Sequence, residues 1–205
     1  EAYQFLKDKI EDFELPCFLM IGNHDDRSVF QRIFFKHPKD THGFVQHQHE
    51  TEEEVFLFLD TTIDGNEEDR GQLCNDRLTW LRKKLKHAGR KKTYIFMHHP
   101  PFDIGLPFVD EIKLIEAESF ADALKSGQNI CHIFFGHVHR MTYVKWRGFS
   151  FTSLPSLNHQ IPLVPASVNA TYCNEPPAYG VVNLSEDQMT INFNTFLQRH
   201  PLPGI

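Results

Sequence analysis

Apolar positions along the chain repeat first at helical spacing and then in short continuous runs. Ala2, Phe5, Leu6 and Ile10 recur at helical intervals and predict an amphipathic helix. "CFLMI" (17–21) reads as a buried strand that breaks at Gly22 into Asn23, His24, Asp25 and Asp26. "VFQRIFF" predicts a short helix ending before Pro38, because the residue ahead of a proline is driven out of the helical region. "VFLFLD" (55–60) is a second buried strand, followed by the acidic loop "TIDGNEEDRG". Leu78, Leu81 and Leu85, with Trp80 beside them, predict a helix that Gly89 stops. "TYIFM" (93–97) and "ICHIFF" (130–135) are further buried strands, with a long loop and a helix around "AESFADALKSG" between them. This alternation predicts α/β layering over a buried sheet. The tail differs: "MTYVKW", "FSFTSL", "YGVVNL" and "MTINFNTF" are strand-like without helices between them, which predicts antiparallel pairing. A proline-rich, cap-like insert at about 154–178 interrupts it, and one domain spans 1–205.

Composition narrows the function classes. With 205 residues, 40% hydrophobic and 23% charged, the chain suits one soluble globular domain. A net charge of -6 argues against a nucleic-acid polymer as the main partner. No apolar run approaches the roughly 20 residues of a membrane helix, so no membrane partner is expected. Cys17, Cys74, Cys131 and Cys173 form no CxxC pair. Cys17 and Cys131 lie in apolar runs, which predicts buried reduced thiols and a cytoplasmic setting. The basic run "RKKLKHAGRKK" reads as a solvated helix C-terminus favoured by the dipole. His42, His47 and His49 read as alternating exposed positions of an edge strand, and Asp26 as the start of the following helix.

The candidate chemistry lies where strands end. "CFLMI" runs into Asn23-His24-Asp25, "TYIFM" into His98-His99-Pro100-Pro101, and "ICHIFF" into Gly136-His137-Val138-His139. Carboxyl ends of strands in an α/β sheet share one crevice, so these groups can converge. Imidazoles with an amide oxygen suit a divalent transition metal of the Zn, Mn or Fe class better than calcium. In an extended "GHVH", spacing i, i+2 would point both rings the same way.

"GNHDDR", "MHHPP" and "FFGHVHR" together resemble motifs of the calcineurin-like metallophosphoesterase superfamily, and "LDT", "WL" and "TSLPSLNHQ" resemble its class III cyclic-nucleotide phosphodiesterase and glycerophosphodiesterase branch. The resemblance implies an αββα fold, a β-sandwich flanked by helices. It also implies a two-metal centre in which Asn23, His98 and His137 bind one ion and His139 helps bind the other, while His99 packs behind. His24 would lie beside the substrate phosphate as acid, with Asp25 orienting its ring, and His159 would reach the phosphate from the insert. Such a centre hydrolyses a small phosphodiester by attack of a hydroxide shared by the ions. The expected substrates are 3′,5′-cyclic nucleotides, with glycerophosphodiesters or a broader range of phosphoesters as the alternative. Superfamily members begin with an Asp-x-His strand and a Gly-Asp motif, and the opening stretch "KDKIEDFELP" has carboxylates in a helical context but neither motif. The expectation is therefore a domain without its first strand-helix-strand, with one ion well liganded. That leaves open a non-catalytic binding module. An uncovered sheet edge would also favour a homo-oligomer.

Overall fold

Aromatic and β-branched runs become strands, and the leucine-periodic stretches become the helices that cover them. In the computed structural model, which describes residues 1–65, 69–164 and 171–196, the order is α1 (Ala2–Glu11), α2 (Arg27–Ile33), β1 (His47–Glu50), β2 (Glu54–Phe58), α3 (Asn75–Ala88), β3 (Lys92–Met97), α4 (Pro107–Asp110), α5 (Ala117–Leu124), β4 (Ile130–Phe135), β5 (Thr142–Trp146), β6 (Phe149–Ser153), β7 (Ala178–Leu184) and β8 (Met189–Thr195). The main sheet has the order β1-β2-β3-β4-β6-β5. β2, β3, β4 and β6 run parallel, with β1 and β5 antiparallel at the edges.

Register decides what each face carries. Leu57 lies opposite Ile95, and Ile95 opposite Ile133, with all three fully buried. They pack in one core with Leu78, Leu81 and Leu85 of α3 and Phe120 and Leu124 of α5. Each such side chain taken from water stabilises the fold by roughly 1.5 to 3 kcal/mol. One residue along, Phe58, Phe96 and Phe134 form a row on the opposite face, their rings stacked at 5.0 and 4.9 Å. The antiparallel pair β7-β8 lies across this aromatic face. A cleft of about 490 Å³ separates the two layers, lined by Met20, Phe96, Phe134, Leu154, Val182 and Phe193 among others.

Several expectations need correction. Residues 17–21 are not a strand: they cross the aromatic face, with Phe18 stacked 5.4 Å from Phe58, and make no ladder with another strand among the described residues. Cys17 is consequently exposed, and Cys131 is only half-buried, although all four thiols are free. His47 is buried, sandwiched against Phe58 at 4.6 Å, because Phe18 covers the edge strand that composition had left facing water. In the tail, β5-β6 and β7-β8 are antiparallel as expected, yet β6 joins β4 in parallel and so extends the α/β sheet. The expected insert falls partly outside the described residues, at 165–170; its flanks meet at a Gln160–Cys173 bridge.

Candidate metal centre

Parallel pairing of β3 and β4 sets Met97 opposite Phe135, so His98-His99 and Gly136-His137 leave the sheet side by side at the carboxyl ends of these central strands. Glycine allows the approach. A Cβ on Gly22 would meet the His98 ring at 2.7 Å and one on Gly136 would meet it at 2.9 Å, so this imidazole is held between two backbones. Asn23 Oδ1 lies 2.8 Å from His98 Nε2 and 3.3 Å from His137 Nδ1. The ligating atoms of His98, His99 and His137 all lie within 4.8 Å of one another.

The sequence had placed His99 behind the cluster; its ring is fully buried, with Nδ1 2.7 Å from Thr61 Oγ1, and it also belongs to the group of converging imidazoles. Space for it depends on Gly71, where a Cβ would sit 2.4 Å from the ring. Burial first, and neighbouring imidazoles second, hold His98 and His99 well below the ordinary histidine range and push His137 down to about 4. The rings are neutral at pH 7 and offer lone pairs. Nε2 of His99 and Nε2 of His137 are buried without a hydrogen-bond partner among the described residues. Neutral, converging imidazoles with orphaned nitrogens and an amide oxygen are a donor set that fits a divalent transition metal.

The "GHVH" segment differs from expectation. His137 and His139 have φ of 70° and 50°, and the Val138 amide donates to the Gly136 carbonyl at 2.8 Å. This is a tight turn with left-handed residues, not an extended segment, and such strain is characteristic of functional sites. It sends the two rings to different neighbours. His137 joins the cluster, whereas His139 Nδ1 faces the His159 carbonyl at 3.0 Å and its ring lies 4.8 Å from that of His159. The His159 ring rests against Tyr172 at 4.3 Å.

His24 is exposed, near enough to His98, His137 and His139 to disfavour their charged forms. Asp25 uses its oxygens elsewhere: one accepts from the Tyr3 hydroxyl at 2.6 Å and the other from the Gly22 amide at 2.7 Å. No hydrogen bond between Asp25 and the His24 ring occurs among the described residues. Burial, reinforced by Asp25, keeps the Tyr3 hydroxyl protonated. Asp26 caps α2 as expected, accepting from the Val29 amide at 2.9 Å.

Sequence reasoning missed the buried support. Asp60, at the end of "VFLFLD", accepts from Arg27 Nε at 2.7 Å and lies 3.7 Å from Arg77. Both guanidiniums face the Phe44 ring, at 5.2 and 4.5 Å. Thr62 donates to the Gly22 carbonyl at 3.0 Å, tying this network to the Asn23 loop. A buried run ending in aspartate, with an arginine in the helix before it and another in the helix after it, was the available signal.

Comparison with known proteins now decides the family. The calcineurin-like phosphoesterase model matches residues 1–141. The chain belongs to the calcineurin-like phosphoesterase family. A probable cyclic nucleotide phosphodiesterase of Rhodopseudomonas palustris is 32% identical over 203 residues, covering 98% of this chain and 74% of that relative. A probable glycerophosphodiester phosphodiesterase of Arcobacter nitrofigilis is 28% identical, covering 99% of the chain and 75% of the relative. The 3′,5′-cyclic adenosine monophosphate phosphodiesterase of Escherichia coli K12 is 27% identical over 91% of the chain and 65% of its own length. The crystal structure of a dimetal phosphatase from Danio rerio shares the fold, with a TM-score of 0.68 over 95% of this chain and 74% of that one at 16% identity. As a calcineurin-like phosphoesterase, the chain is a hydrolase of phosphoric esters whose fold implies divalent ions. No helix among the described residues is long and apolar enough to cross a membrane.

Proposed function

We propose that this phosphoesterase hydrolyses a small phosphodiester, with 3′,5′-cyclic nucleotides as the leading class and glycerophosphodiesters as the alternative. The observation that carries it is the convergence of Asn23, His98 and His137 beside the carboxyl ends of β3 and β4. These three would hold one ion of the Zn, Mn or Fe class, and His139 would contribute to a second. Among the described residues, the imidazole cluster of His98, His99 and His137 includes no carboxylate. When bound, divalent ions supply Lewis acidity, withdrawing charge from the phosphate oxygens and acidifying water.

The remaining steps belong to the protein. Asn23 and His98 fix the floor of the site, because the glycine backbones leave the His98 ring no room to turn. His24, exposed at the rim, donates a proton to the leaving alkoxide, a contribution of roughly 10² to 10⁴-fold for a general acid. His159 approaches the phosphate from beside His139. The names of the relatives support the substrate class.

Hydrolysis of bis(p-nitrophenyl) phosphate with added Mn²⁺ tests the reading. Turnover that His24→Ala lowers by roughly 10² to 10⁴-fold and His137→Ala abolishes is expected. Mn²⁺ binding without any turnover would favour a non-catalytic module, and turnover indifferent to both substitutions would overturn the assignment.

A further inference from the structure

The Asn23 side chain has two faces, and only one of them can ligate a metal. Its Oδ1 points at His98 and His137, while its Nδ2 lies 3.0 Å from Asp69 Oδ1. An ionised carboxylate only accepts hydrogen bonds, so the amide nitrogen must be the end that faces Asp69. The oxygen is then forced toward the imidazoles. Asp69 is held there by its own backbone, with φ of 56°, in the left-handed region that aspartate tolerates better than most residues. Its carbonyl faces the His99 ring, and its carboxylate is close enough to His137 to favour that ring's charged form against the effect of burial. The carboxylate does not join the compact group of ligating atoms formed by His98, His99 and His137.

We propose that Asp69 is a positioning residue for the metal centre: by accepting from Asn23 Nδ2 it fixes the amide oxygen toward the ion. The inference rests on the reading of Asn23 as a ligand. Without Asp69 the amide can turn its NH₂ group inward, and an N–H donor facing a cation repels it. Groups that orient metal ligands in this way typically change metal affinity by roughly 10- to 100-fold when removed.

Two readouts on the 205-residue chain test this. In metal-free protein, the Asn23 side-chain NH₂ signals in a ¹⁵N-correlated NMR spectrum should show one downfield-shifted, slowly exchanging proton that Asp69→Ala abolishes. By calorimetry, Asp69→Ala should weaken Mn²⁺ binding by roughly 10- to 100-fold, and Asp69→Glu should recover part of the loss. Asp69→Asn, which keeps the shape but can donate as well as accept, should fall between. An amide signal unmoved by Asp69→Ala, or Mn²⁺ bound by that variant as tightly as by wild type, overturns the proposal. Equal Mn²⁺ affinity in Asn23→Ala and wild type would instead overturn the ligand reading of Asn23, while the metal-free amide signal still judges the hydrogen bond.

Discussion

At the scale of single residues, space and protonation set the site. Gly71→Ala should force the buried His99 ring aside, since the added carbon would sit 2.4 Å from it. We expect a cost of about 1 to 3 kcal/mol, as for other overpacked sites, seen as a lower urea midpoint together with weaker Mn²⁺ binding. His47 carries a pH signature. Its folded pKa is pushed from 6.5 down to about 4, chiefly by burial and then by His37. The unfolded chain therefore takes up a proton near pH 6.5 while the folded chain does not, and stability falls as pH drops from about 6.5 toward 4, by roughly 2 kcal/mol by pH 5. His47→Phe, which keeps the stack on Phe58, should flatten that slope when urea unfolding is compared at pH 7.5 and pH 5. Asn23, His98 and His137 were legible in the sequence because each follows a short apolar run, which is a strand, β3 or β4, only for the two histidines. Asp69 was not, because it lies in an acidic loop where nothing in its neighbours distinguishes it from Asp64.

Elements show the same division. α3 and β2 to β4 were readable because leucine spacing and apolar runs carry their own period, and their buried faces match it. Residues 17–21 have the composition of a strand but no ladder among the described residues, since strand identity is conferred by a partner and not by side chains alone. The Asp60 network, which joins α2, the end of β2 and α3, was missed for the same reason, since a buried aspartate after a strand signals a partner without naming it. Asp60→Asn would leave the Arg27 and Arg77 guanidiniums without their buried counter-charge. Loss of one partner of such a pair costs about 3 to 5 kcal/mol, measurable by urea denaturation. By contrast, Leu81→Ala should cost about 2 to 5 kcal/mol through its cavity while leaving Mn²⁺ affinity unchanged, which separates scaffold from site.

Across the whole molecule, apolar surface is unevenly covered. Phe5, Phe13, Leu15 and Phe18 are exposed, and the cleft beneath β7-β8 is open. We expect the purified chain to scatter light as more than a monomer, and a monodisperse monomer would count against this. The parallel core strands have a further consequence in time. Asn23, Thr61, His98 and His137 are far apart in sequence and meet only when β2, β3 and β4 have closed long loops. Local helices form before such non-local pairings. In a stopped-flow refolding experiment, ellipticity should therefore recover early and capture of Mn²⁺ late, so that the ion reports the final closure of the sheet.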